Sequence, residues 1–77
     1  PGLDRRARSV VVLSITIALR HWGEFRIHVR GALNNGLSRD EIKEIVLQQA
    51  IYCGVPAAHH AFAELSAVVA EHGPLDG

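Results

Sequence analysis

Cysteine is almost missing from this chain: Cys53 stands alone among 77 residues. No intrachain disulfide, no CxxC redox pair and no cysteine-based zinc cluster can therefore form. A reducing, cytosolic compartment is the setting such a chain suits. Aromatic residues are scarce as well, with two Phe, one Tyr and one Trp. An excess of either charge is also absent. Eight basic residues balance eight acidic ones, which excludes the broad positive field that holds nucleic acid or an anionic membrane. The longest apolar run, Val10 to Leu19, is broken by Ser14 and Thr16. It falls short of the about 20 residues that a bilayer demands, and it lacks the small-residue cleavage site of a signal peptide. Strand alternation persists nowhere, and neither repeats nor low-complexity tracts occur. The opening Pro1-Gly2-Leu3-Asp4 has no Met, so the chain is expected to be a fragment, or a core whose upstream part is absent.

What is present is aliphatic. Hydrophobic residues make up 48% of the chain, in a domain so small that it buries only a little over about 60% of its unfolded surface. Some of this apolar surface is therefore expected to face another subunit. Seven of the eight basic residues are Arg, which suits bidentate contact with carboxylates. Most of them read as solvated surface side chains.

Glycine and proline divide the sequence, residues 1–77, into four helical segments of one domain. The first is expected from the N-cap Asp4 to about Arg20, apolar on nearly every side after Arg5, Arg6 and Arg8. A helix of that kind needs cover all round. The second spans about Gly23 to Asn34, with Gly36 placed to close it in a left-handed conformation. Ser38-Arg39-Asp40-Glu41 is a capping box, and Ile42, Ile45, Val46, Gln49, Ala50 and Cys53 follow it at helical spacing. Gly54 ends that third helix. Pro56 suits the first position of the fourth, which runs to about Glu71, and the tail from Gly73 to Gly77 is expected to be loose.

The second segment carries the chemistry. His21, Glu24 and His28 are spaced by three and four residues, so they line one stripe of a helix. A carboxylate one turn from an imidazole favours the imidazolium and orients the ring, as a general acid or an anion-holding group requires. The same spacing also fits an ordinary surface Glu–His pair worth a few tenths of a kcal/mol. Arg26 and Arg30, also four apart, form a pair on another side. As metal ligands, His21, Glu24 and His28 lack any HExxH-type frame. His59 and His60 are adjacent and point apart, so they cannot share an ion, and no metal site is expected. Cys53 sits at a helix end and reads as a small core residue. Gln48, Gln49 and Tyr52 suit either a subunit contact or a ligand.

Three runs carry a resemblance to a known family. They are Pro1 to Ser9 (PGLDRRARS), Glu24 to Ser38 (EFRIHVRGALNNGLS) and Glu41 to Ala58 (EIKEIVLQQAIYCGVPAA). Together they resemble the carboxymuconolactone decarboxylase family over nearly the whole chain, and most closely its 4-carboxymuconolactone decarboxylase branch. The resemblance implies an all-α, four-helix fold assembled as an oligomeric ring, commonly a trimer of dimers, with active sites at subunit contacts. It also implies one or two further helices upstream. The reaction it implies is a cofactor-free decarboxylation giving 3-oxoadipate enol-lactone in aromatic (protocatechuate) catabolism. The small-molecule partner would be a dicarboxylate lactone.

The alkylhydroperoxidase D-like proteins of the same superfamily carry a CxxCxxxH signature. Aligned on Gly36, its histidine falls on His28 and its two cysteines on His21 and Glu24. With both sulfurs missing, the resemblance implies no thiol peroxidase chemistry. It implies instead an acid–base stripe, with His28 as proton donor or oxyanion stabiliser, Glu24 orienting it and His21 assisting. Arg30 or Arg26, from this subunit or a neighbour, would grip a carboxylate. The alternatives are a non-catalytic oligomer that binds a small ligand, and a decarboxylase for another small acid. A place within a lactonase fusion is a further possibility for the chain.

Overall fold

A computed structural model describes residues 2–72 of the chain. It contains four helices in the order α1 (Arg5–Ala18), α2 (Trp22–Asn34), α3 (Arg39–Tyr52) and α4 (Val55–His72). No strand occurs among the described residues, and the all-α fold expected from the glycine and proline punctuation is the one observed. The tail from Gly73 to Gly77 lies outside the described residues. Helix α1 packs on α2 and α3, and α4 packs on the same two, so α1 and α4 meet only weakly across the bundle.

Asp4 caps α1, its side chain accepting from the Ala7 N–H at 2.8 Å. Ser9, Leu13, Thr16 and Ile17 form the buried stripe of that helix, at the spacing of a single helical face. The opposite stripe is bare: Val11, Ile15 and Leu19 are 45%, 50% and 58% exposed. The sequence extends α1 to about Arg20, but the helix closes at Ala18. The His21 N–H donates to the Thr16 carbonyl and the Arg20 N–H to the Ile17 carbonyl. This is a Schellman closure, and it places Arg20 at φ +58°. Glycine normally fills that left-handed position, so nothing in the residue types announces the stop.

Because α1 stops early, α2 begins at Trp22, one residue before Gly23, with His21 in the N-cap position and making no side-chain cap. Its buried face is Phe25, Val29 and Ala32. Its end follows the glycine rule. Gly36 sits at φ +97°, the Leu37 N–H reaches the Ala32 carbonyl at 3.0 Å, and Leu37 is buried. The capping box of α3 is present in both directions, Ser38 Oγ accepting from the Glu41 N–H and Glu41 Oε1 from the Ser38 N–H. Gly54, at φ +93°, separates α3 from α4. Helix α4 starts at Val55, so Pro56 is its second residue. The first turn has no intrahelical acceptor for an N–H there, so proline costs the helix nothing at that point. Ala57, Ala58 and Ala61 keep the buried side of α4 thin, and Leu65 and Val68 complete it.

Arg6 ties α1 to the turn before α3. It donates to the Gly36 carbonyl at 2.9 Å and forms an ion pair with Glu41. The Arg6 guanidinium, with help from the Ser38 N–H, holds the Glu41 carboxyl below its ordinary value. A carboxyl with a depressed folded-state pKa stabilises the fold above its unfolded-state pKa and loses that contribution as pH falls through the lower folded value. Glu41→Gln is therefore expected to lower the melting temperature slightly at neutral pH. The gap from the wild type should close below the usual carboxylate range, as a series of thermal melts from pH 7 to pH 2 would show. A gap that stays constant across that series would mean the ion pair contributes nothing.

Candidate active site

Burial of Phe25, Val29 and Ala32 sets the rotation of α2 and leaves His28 half-buried on the side facing the start of α1. A cleft of about 310 Å³ opens there, lined by Arg5, Arg8, Ser9, Val12, His28 and Asn35. Arg5 and Arg8 are three residues apart on α1 and so share a face. Ser9 is 9% exposed, and its Oγ accepts from Asn35 Nδ2 at 3.2 Å. The lining brings two guanidiniums and an imidazole together and includes no carboxylate. Among the described residues no ion pair or hydrogen bond engages the Arg5, Arg8 or His28 side chains. An unpaired cationic lining of this kind is complementary to a small anion with more than one acid group.

The residues singled out in the sequence separate into two groups. His28 lines the cleft. Glu24 lies one turn earlier on the same helix, exposed, with no hydrogen bond to His28. His21 precedes the helix, also exposed, and does not line the cleft. Arg26 and Arg30 belong to the α4 side. Arg26 Nε lies 3.2 Å from Glu64 Oε1, and Arg30 donates to Glu71 Oε2 at 2.7 Å. The second oxygen of Glu64 is 3.1 Å from His60 Nε2. The His60 ring in turn stacks on Trp22, with centroids 4.2 Å apart. Trp22, Arg26, His60 and Glu64 thus fasten α2 to α4 on the far side of α2 from α1.

Among the described residues no three His, Cys, Asp or Glu side chains converge as metal ligands. Cys53 packs partly against the core, its thiol donating to Gln49 Oε1 at 3.2 Å. The sequence alone does not mark Arg5, Arg8, Ser9 and Asn35 as site residues. The i, i+3 spacing of Arg5 and Arg8 is the available signal. The Asn35–Ser9 contact joins residues 26 apart and leaves no local trace.

The comparisons agree with this architecture. The model of the carboxymuconolactone decarboxylase family matches residues 1–67. The chain belongs to the carboxymuconolactone decarboxylase family. A nitrosuccinic acid decarboxylase of Metarhizium robertsii is 48% identical over 61 residues, which cover 79% of this chain and 43% of that protein. A 4-carboxymuconolactone decarboxylase of Acinetobacter baylyi is 43% identical over 61 residues, covering 79% of this chain and 46% of the relative. The matched region is thus less than half the length of either relative. No helix among the described residues is long and apolar enough to cross a membrane.

Proposed function

We propose that this chain supplies the active-site region of a cofactor-free decarboxylase, converting 4-carboxymuconolactone to 3-oxoadipate enol-lactone in aromatic catabolism. One observation carries the reading: His28 shares a cleft of about 310 Å³ with the guanidiniums of Arg5 and Arg8, which form no ion pair among the described residues. The relative named for that reaction supports it. The carbon–carbon bond to the departing carboxylate breaks, carbon dioxide leaves, and the electron pair passes through the ring double bond toward the lactone carbonyl. A proton delivered to carbon completes the balance. Arg5 and Arg8 hold carboxylate oxygens, and His28 delivers the proton to carbon. Glu24, one turn away, orients His28 as the substrate enters, and His21 assists from the helix start. The carboxylate-holding role expected of Arg26 and Arg30 passes to Arg5 and Arg8, because Glu64 and Glu71 already neutralise the former pair.

A second substrate has specific support, since a nitrosuccinic acid decarboxylase is 48% identical over the matched region. In both acids the electrons released with carbon dioxide can be drawn onto an oxygen, of a nitro group in one and of a lactone carbonyl in the other. Absorbance-monitored turnover of freshly prepared 4-carboxymuconolactone, with nitrosuccinic acid in parallel, tests both readings. Turnover of neither, with binding retained, would leave a non-catalytic small-ligand binder.

The proposal extends to self-association as a ring, a trimer of dimers, in which α1 is covered by another subunit. The stripe of Val11, Ile15 and Leu19, each at least 45% exposed, supports it. Ile15→Asp is expected to shift the sedimentation coefficient to that of a smaller species with the helical content unchanged. A wild-type protein that sediments as a monomer at micromolar concentration would refute this extension.

A further inference from the structure

Hydroxyls on an α-helix usually turn their hydrogen back onto the carbonyl one turn earlier, and two of the α1 hydroxyls do so. Ser14 Oγ donates to the Val10 carbonyl at 2.9 Å, and Thr16 Oγ1 donates to the Val12 carbonyl at 2.9 Å. Ser9 departs from this pattern. Its oxygen is an acceptor, taking the Nδ2–H of Asn35 at 3.2 Å, and no carbonyl of α1 receives its hydrogen. Ser9 is 9% exposed, and the open space it borders is the cleft it shares with His28.

Asn35 is held firmly enough to impose that direction. It forms the C-cap of α2, with its backbone N–H donating to the Gly31 carbonyl at 2.9 Å. The next residue, Gly36, occupies a left-handed turn at φ +97°, and its carbonyl receives Arg6 Nη1 at 2.9 Å. The turn that carries Asn35 is thus bonded to the same helix that carries Ser9. An amide N–H aimed at Oγ occupies one lone pair and leaves the hydroxyl hydrogen for another acceptor.

We infer that the Ser9 hydroxyl, directed into the cleft by Asn35, donates a hydrogen bond to the substrate oxygen that gathers negative charge as carbon dioxide leaves. The inference rests on the decarboxylase reading of the same cleft. It divides the work: the cationic side chains hold carboxylates, His28 protonates carbon, and a neutral, pre-oriented donor meets the developing oxyanion. A donor fixed before the reaction costs no reorganisation in the transition state, and such groups typically contribute about 10²–10³-fold in kcat. Ser9 is then a catalytic residue and Asn35 a positioning residue.

Steady-state kinetics of Ser9→Ala, Ser9→Thr and Asn35→Asp decide the matter, with circular dichroism and melting temperature as folding controls. Ser9→Ala is expected to lower kcat by about 10²-fold with KM changed only a few-fold, and Ser9→Thr to recover most of the rate. Asn35→Asp replaces a donor by an acceptor, captures the Ser9 hydrogen and turns it away from the cleft. It should therefore reduce kcat about as far as Ser9→Ala does, although a hydrogen bond from Ser9 to the introduced carboxylate would satisfy any purely structural role. A folded Ser9→Ala protein within about threefold of wild-type kcat would overturn the inference, as would a folded Ser9→Thr protein no better than Ser9→Ala. Failure of the decarboxylase reading would show separately, as a wild type that turns over neither acid. The affinity for propionate 3-nitronate, a carboxylate whose nitronate oxygens carry the kind of oxyanion assigned to the Ser9 hydroxyl, measured by calorimetry then becomes the readout. A roughly tenfold loss in Ser9→Ala, recovered in Ser9→Thr, supports the hydroxyl as a ligand donor. Equal affinities, or no binding to either protein, overturn it.

Discussion

His28→Ala is expected to lower kcat for the decarboxylated acid by about 10²–10⁴-fold, the usual contribution of a positioned proton donor, while the melting temperature barely moves. The combination is the diagnostic part. His28 is half-buried and makes no hydrogen bond to the rest of the chain among the described residues, so removing the ring orphans no partner and opens onto an existing cleft of about 310 Å³. Two neighbouring substitutions locate the effect further. Arg8→Ala should raise KM more than it lowers kcat, because the guanidinium grips the substrate before and after the bond breaks. Arg26→Ala should leave KM nearly unchanged, because Arg26 is paired with Glu64 on the α4 side. Wild-type turnover in His28→Ala would remove the central assignment, and a large loss in Arg26→Ala alone would move the site to the other face of α2.

Phe25→Ala is expected to have the reverse signature, with stability lost first and activity only as a consequence. Phe25 is 0% exposed and meets the edge of Trp22 with ring centroids 5.8 Å apart. It belongs to the same buried cluster as Leu13, Ile17, Ile42 and Val68, which come from α1, α3 and α4. Truncating a buried phenylalanine typically costs about 3–5 kcal/mol. A chain of this length has roughly 4–12 kcal/mol in total, so the variant should melt more than about 10 °C below the wild type or be unfolded at room temperature. Thermal unfolding followed at 222 nm measures it directly. A shift of only a few degrees would mean that the ring is replaceable by its neighbours, and that the rotation of α2 is set by Val29 and Ala32 alone.

These two residues also show what can be read before any coordinates. The second helix and its closure at Gly36 follow from residue types, whereas its inward face of Phe25, Val29 and Ala32 is first seen in the packing. Ser38 and Glu41 announce the start of α3 because a capping box is local, closing within one turn. His28 stands out through the stripe it shares with Glu24 and through the family resemblance of the residues around it. The limits of α1 and α2 are less legible. Arg20 adopts the left-handed position without being glycine, so the residue types around it carry no sign of the stop.

Periodicity, capping and glycine placement are properties of neighbouring residues, and they were sufficient to determine four helices and their order. The family was legible only through the resemblance carried by the runs Pro1–Ser9, Glu24–Ser38 and Glu41–Ala58. The composition of the site was decided by packing. Arg5 and Arg8 line the cleft beside His28, and Arg26 and Arg30 pair with Glu64 and Glu71, according to which helix lies beside each face of α2. The Asn35–Ser9 bond likewise exists only because the end of α2 docks beside α1. Charge and hydrogen-bonding type are written in the residue, but the partner is chosen by the relative placement of helices, which local spacing does not encode.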